Sequence, residues 1–328
     1  MRIGIVHEAV LPALKYGGTE RVLWDLGYEL TKMGHEVTYI VPGESRLEFG
    51  NKIPLETVDF RSLDRSKLDV LHFHSRFPGE ENVQLPYVIT LHGNPNVQDP
   101  LNRNTIFVSE NHAERFDSKS FVYNGLNWDN YIQPDLKSKR DRFHFLGKGA
   151  WRVKNLKGAI DVILKTPKER LDVLGGVRFN FNMGVRLTFS PRVRFHGMVD
   201  NDKKSQIMNR SKGLVFPVLW HEPFGLAIIE SLYFGCPVFG TPYGSLQELV
   251  IPEVGYLSDS REKLSEALSR VDLFDKRICH EYARDHFNSR QMALDYLNKY
   301  ETVLNGYFLN DKNPVLQEIT GKFLNWTT

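Results

Sequence analysis

The 328-residue chain has little of what marks secreted, metal-stapled or membrane-spanning proteins. It holds two cysteines, Cys236 and Cys279, without metal-type spacing. That excludes a disulfide framework and points to a reducing, cytoplasmic setting. No apolar run approaches the roughly 20 residues needed to cross a bilayer. The start, Met1-Arg2-Ile3-Gly4-Ile5-Val6-His7, turns polar too soon for a signal peptide and reads as a first strand. A strong charge of one sign is also missing. Lys and Arg number 42 against 40 Asp and Glu, far from a nucleic-acid footprint. Residues 1–140 carry 16 basic and 19 acidic side chains (−3), and the remainder 26 and 21 (+5). The second half therefore leans toward a small anionic ligand. No polybasic patch marks the first half, and peripheral membrane contact stays open.

What is present is alternation of short apolar strands with amphipathic helices. The length points to two domains. Strands are expected at Arg2–Val6, Val37–Val41, Val70–Phe73, Tyr87–Leu91, Thr105–Val108 and Ser120–Tyr123. A helix over Thr19–Met33 puts Val22, Leu23, Leu26 and Leu30 on one face, with Thr19 as N-cap. The charged run 134–142 reads as the linker. A second series then follows: strands at Arg142–Leu146, Leu171–Leu174, Val193–His196, Gly213–Phe216 and Pro237–Gly240. Its helices are expected at Leu156–Lys165, Pro223–Phe234, Arg261–Val271 and Ser289–Leu304. Short buried strands separated by helices predict parallel α/β sheets, here two doubly wound domains whose ligands bind beyond the strands' carboxyl ends. The division is 1–138, 139–304 and a C-terminal segment 305–328 that returns to the first domain, with Val315–Trp326 as a short helix.

The most informative stretch is His221-Glu222-Pro223-Phe224-Gly225-Leu226-Ala227-Ile228-Ile229-Glu230. Pro223 suits a first helical turn, and Gly225 lets a ligand approach the backbone. The amides of Phe224, Gly225 and Leu226 would then face an anion at a helix N-terminus. Glu222 can accept hydrogen bonds from sugar hydroxyls and Glu230 from a ribose. The plainer alternative makes Glu222 a dipole partner and Glu230 a solvated helix residue.

The surrounding residues decide between these. From Val193 to Val250 the chain resembles the donor-binding core of the GT4-type retaining glycosyltransferases of the GT-B fold. Arg194 to Val199, Gly213 to Pro217, the Glu-x7-Glu run, Gly235-Cys236-Pro237-Val238 and Gly244 to Glu248 carry the likeness. The resemblance implies two doubly wound, Rossmann-like domains facing across a cleft. It also implies transfer of a sugar from a nucleotide diphosphate sugar to a hydroxyl acceptor, with retention. No metal or other cofactor is expected, and UDP is preferred over GDP as the donor's nucleotide. Gly147-Lys148 with Lys154-Asn155 resembles the segment that clasps the diphosphate. Lys148 stands where arginine is usual, and Lys157 competes with Lys154 as the second cation.

In the first half, Tyr16-Gly17-Gly18-Thr19 resembles the family's glycine loop, so Gly17 and Gly18 are assigned to donor binding with Phe224, Gly225, Leu226 and Glu230. The pattern lacks Gly-x-Gly-x-x-Gly and an acidic end to the second strand, which disfavours a nicotinamide cofactor. His92, in Thr90-Leu91-His92-Gly93, resembles the histidine set beside the transferred sugar and joins Glu222, Lys148 and Lys154 as catalytic. His72 and His74 share one strand face and read as structural or acceptor-lining. Two other functions stay open at this point: a non-catalytic nucleotide-sugar-binding protein, and a GT-B epimerase of the nucleotide sugar.

Overall fold

In a computed structural model, the described residues are all but 13–16, 77–81, 182 and 328. They form two compact units, one of Met1–Asn127 with Phe287–Ile319, the other of Trp128–His286 with the chain's end from Thr320.

Unit 1 is built on β1 (Arg2–Val6), α1 (Gly18–Lys32), β2 (Glu36–Val41), β3 (Asn51–Pro54), β4 (Val70–Phe73), β5 (Tyr87–Leu91), β6 (Thr105–Phe107) and α2 (Glu110–Glu114). Its six strands run parallel in the order β3-β2-β1-β4-β5-β6. The central strands are apolar on both faces because both faces are covered. Ile3, Ile5, Val70, Leu71 and Val88 have no exposed surface, and Leu23, Leu26 and Leu30 of α1 pack into the same interior. Two expectations change here. Thr19 does not cap α1: the helix starts at Gly18, with Gly17 as an N-cap that offers no side chain. Residues 120–123 contribute a single bridge, Phe107 to Phe121, rather than a strand.

Unit 2 contains β7 (Arg142–Leu146), α3 (Leu156–Lys165), β8 (Leu171–Leu174), β9 (Phe179–Asn180), β10 (Arg186–Leu187), β11 (Val193–Gly197), α4 (Asn201–Met208) and β12 (Ser211–Phe216). It continues through α5 (Leu226–Tyr233), β13 (Val238–Gly240), α6 (Leu246–Leu249), β14 (Gly255–Leu257), α7 (Arg261–Leu268) and α8 (Lys276–His286). The parallel order is β11-β8-β7-β12-β13-β14, with β9 and β10 as a separate antiparallel hairpin. The charged run 134–142 is no linker. Arg140 is buried, and its guanidinium donates to the carbonyls of Ser211, Gly235, Phe234 and Asp135, which stitches the run into unit 2.

The last long helix, α9 (Ser289–Leu304), belongs to unit 1 and not to the donor domain where the sequence reading puts it. The reason is polar as well as apolar: Tyr300 and Tyr296 reach His72 and Thr90, and the Ser289 hydroxyl donates to Glu29. Residues 315–326 are not helical. Val315 and Gln317 donate to the carbonyls of Phe116 and Arg115 in unit 1. Leu324 and Thr327 donate to Leu219 and Asp259 in unit 2. The end of the chain is therefore divided between the units.

Candidate active site

In each sheet the strand order reverses once, between β1 and β4 in unit 1 and between β7 and β12 in unit 2. Loops leaving the carboxyl ends of those strands diverge there and leave room for a ligand. Most of the candidate residues stand at these two points.

In unit 2 the loop after β7 carries Lys148 and Lys154, and the segment after β12 carries Trp220 and Glu222. Lys154 closes a short 3-10 turn, and Asn155, in the left-handed region at φ 51°, caps α3 by accepting from the Gly158 amide at 2.9 Å. The Asn155 side-chain Nδ2 also donates to the Pro217 carbonyl, which ties the two loops together. The Lys154 ammonium meets both carboxylate oxygens of Glu222, at 2.8 and 2.6 Å, and the Trp220 indole N–H donates to Oε2 at 2.8 Å. Lys154 and Glu222 are both buried. Two buried charges of opposite sign offset one another's desolvation only with such close geometry and further donors.

The backbone of Glu222 is fixed as firmly as its side chain. It bridges to Gly244, and the Ser245 amide donates to its carbonyl at 2.9 Å. A Cβ on Gly244, at φ 64°, would lie 2.3 Å from the Glu222 nitrogen, so only glycine allows this approach. The extended bridge delays the helix. α5 begins at Leu226 behind Gly225, its N-cap at φ 86°, rather than at Pro223. Gly225, Leu226 and Ala227 keep part of their surface exposed, so the amide end of α5 is open to a ligand. Phe224 is buried, and its carbonyl accepts from the Ser245 hydroxyl.

Glu230 is buried, where the plainer alternative made it a solvated helix residue. It is 2% exposed, and its Oε1 accepts from the Tyr131 hydroxyl at 2.7 Å and from the buried Lys204 ammonium. Lys204 and Tyr131 escape the sequence reading because neither lies in a motif and a buried lysine leaves no periodic signal. Trp220 could have been found by nearness alone, since it stands two residues before Glu222. Lys148 is exposed, with its ammonium 5.1 Å from the Trp151 ring centroid, apart from the Lys154–Glu222 pair. Lys157 pairs with Asp161 on the outer face of α3.

In unit 1, His7 follows β1, His74 follows β4 and His92 follows β5. His72, inside β4, is enclosed by the Tyr300 hydroxyl on Nδ1 and the Thr90 hydroxyl on Nε2, each at 2.7 Å. It is structural. The His74 ring lies 3.8 Å from that of His72, and its Nδ1 is 2.9 Å from Nε2 of His92. Burial, reinforced by the neighbouring imidazoles, holds His74 well below the usual histidine range and takes His92 down to about 3. All of these rings are therefore neutral at pH 7, and in the His74–His92 hydrogen bond one ring donates and the other accepts. His74 Nε2 and His7 Nδ1 are buried without a hydrogen-bond partner. Gly17 and Gly18 open α1 in the same unit, and Tyr16 of that loop lies outside the described residues. No group of three or more His, Cys, Asp or Glu among the described residues could hold a metal ion.

Residues 132–281 match the family model described as Glycosyl transferases group 1. The chain is 23% identical over 374 residues to N-acetyl-alpha-D-glucosaminyl L-malate synthase of Bacillus anthracis, covering 90% of this chain and 96% of that protein. Among solved structures it is similar to AviGT4, a glycosyltransferase involved in avilamycin A biosynthesis. That likeness has a TM-score of 0.73 at 18% identity and covers 93% and 98% of the two chains. HepE of Anabaena, solved with UDP and glucose, gives 0.65 at 14% identity over 92% and 100%. The two parallel sheets are those of the GT-B fold. The matched segment holds Lys148, Lys154, Lys204, Glu222 and Glu230 together, and through that group 1 segment the chain is a glycosyltransferase.

Proposed function

We propose that the enzyme transfers a glycosyl group from a nucleotide diphosphate sugar, UDP-linked before GDP-linked, to a hydroxyl of its acceptor, with retention and without a metal. The observation that carries this reading is the Lys154–Glu222–Trp220 cluster beside the open amide end of α5. An arriving diphosphate competes for Lys154, since phosphate oxygens meet that ammonium and the helix amides together. Glu222, released from Lys154 and still oriented by Trp220, then accepts from hydroxyls of the donor sugar. Lys148, exposed on the same loop, adds a second positive charge as the nucleotide departs. The anomeric carbon loses its bond to the phosphate oxygen and gains one to the acceptor oxygen. The acceptor proton passes to the leaving phosphate, so no protein carboxylate is needed as base. His92, neutral and held by His74, orients the sugar or the acceptor hydroxyl. Ribose binding at Glu230 must share that carboxylate with Lys204 and Tyr131. The relative from Bacillus anthracis, an N-acetyl-alpha-D-glucosaminyl L-malate synthase, and HepE, solved with UDP and glucose, support a nucleotide-sugar donor.

Donor consumption over a panel of UDP-, GDP- and ADP-sugars tests the reading, with the product's anomeric configuration read by NMR. Glu222→Ala is expected to cut turnover at least about tenfold through loss of a charged hydrogen bond. Unchanged turnover would remove Glu222 from the reaction.

A further inference from the structure

The β9–β10 hairpin breaks the ordinary logic of a surface hairpin, which turns its apolar face inward. Alternate positions from Val177 to Phe189 are apolar without a break and face outward. Phe181, Val185 and Phe189 are 70%, 72% and 77% exposed. The opposite face is the anchored one. Arg178 and Arg186 lay their guanidinium groups over the Phe195 ring at 5.5 and 5.2 Å, and Arg178 donates to the carbonyls of Thr188, Ser190 and Val193. The hairpin is thus pinned to unit 2 by its polar side, holding large apolar side chains in water. A contiguous apolar surface of this kind marks a contact with another phase or molecule.

Charge says which. Residues 173–199 contain four arginines, Arg178, Arg186, Arg192 and Arg194, and no Asp or Glu. Among the described residues none of the four forms an ion pair with a carboxylate. Arg192, like Arg178, spends its donors on carbonyls, and Arg194 is exposed. The apolar tip therefore stands in an uncompensated positive field. A second copy would bring the same charge against itself, which opposes self-association. A bilayer with anionic headgroups satisfies both halves of the surface: hydrocarbon for the tip and phosphate for the arginines. We propose that the apolar side chains on and beside β9 and β10 form a membrane-docking element that seats unit 2 on bilayers containing anionic lipid. Its tip, through Met183, Val185 and Arg186, lines a cavity of about 480 Å³ with Arg152, Lys157 and Phe323, so docking sets the loop that ends in Lys154 close to the lipid surface.

Vesicle co-sedimentation of the full chain tests this, with equal parts phosphatidylcholine and phosphatidylglycerol against phosphatidylcholine alone. The chain is expected to pellet with the mixed vesicles and at least about tenfold less with the neutral ones. Combining Phe181→Ser, Val185→Ser and Phe189→Ser should lower binding at least about tenfold, since the lost area is apolar. Because these side chains are exposed, melting temperature and turnover with soluble substrates should not move. Arg194→Glu should weaken binding to the mixed vesicles alone. Failure to pellet, or equal pelleting of the triple variant, overturns the proposal. So does a lipid-free dimer in sedimentation equilibrium that the triple variant abolishes, because the face is then a self-association surface.

Discussion

At the switch point of unit 2 the central strands lead to paired charges, and at that of unit 1 they lead to neutral rings. The topology is the same. β7 and β12 are followed by Lys154 and Glu222, 2.6 Å apart, while β1, β4 and β5 are followed by His7, His74 and His92. A buried ion pair is a costly way to hold two loops together, because apolar side chains of equal volume serve stability as well or better. Its presence at a ligand-binding point makes sense when the ligand itself is charged and can exchange with one partner. Neutral imidazoles suit a hydroxyl instead: each ring can donate from one nitrogen and accept at the other. On the proposed function, the difference suits unit 2 to the charged diphosphate and gives unit 1 chemistry suited to alcohols.

The largest effect that tests this contrast comes from breaking the pair. Lys154→Met leaves Glu222 buried without its cation and should lower stability by about 3–5 kcal/mol in denaturant unfolding. Adding Glu222→Leu to Lys154→Met should return most of that loss, since neither charge then remains buried. If the two changes simply add, Lys154 and Glu222 are not energetically coupled and the exchange with a diphosphate loses its basis. A smaller effect is expected at the second buried acid. Tyr131→Phe removes one hydrogen bond to the Glu230 carboxylate, at a cost of about 1.5–3 kcal/mol. If ribose shares that carboxylate, UDP affinity measured by calorimetry should change as well, and an affinity identical to that of the parent would separate Glu230 from nucleoside binding.

Much of this was legible in the sequence where local pattern and packing agree. β4, β5, β7, β8, α3 and α9 lie at the limits that apolar periodicity assigns, because their buried faces are continuous. Errors cluster where a distant contact overrides local pattern. Pro223 looks like a helix start, but Glu222 is held in a bridge to Gly244 and the helix begins only behind Gly225. The run 134–142 looks like a linker, but Arg140 finds four carbonyls contributed by other parts of unit 2 and by Asp135. Lys204 is invisible to any sequence pattern because its burial depends on Glu230, 26 residues later in the chain. In the site, motif residues were found by type, while their partners were supplied only by three-dimensional proximity.

The subtlest test of the contrast is acid stability. In unit 1, burial lowers the affinity of His7, His72, His74, His92 and His112 for protons, taking His92 and His112 to about 3. In unit 2 the corresponding case is His144, also at about 3, enclosed by the hydroxyls of Ser211 and Ser231. A histidine whose folded value lies below its ordinary 6.5 is protonated first in the unfolded chain. Its stabilisation is complete above 6.5 and declines as pH falls toward the folded value, by up to about 1.4 kcal/mol per pH unit for each ring. Carboxylates held low, such as Asp69 and Asp135, act mainly below their ordinary value of 3.8, outside most of this window. Between pH 6.5 and about 4 unit 1 should therefore lose stability faster than unit 2. Hydrogen exchange corrected for intrinsic rates, compared near pH 7 and near pH 5, should show protection falling more in peptides from β4 and β5 than in those from β7 and β12. An equal fall in both would mean that the imidazoles of unit 1 reach solvent protons in the folded state, and that their neutrality does not distinguish the two units.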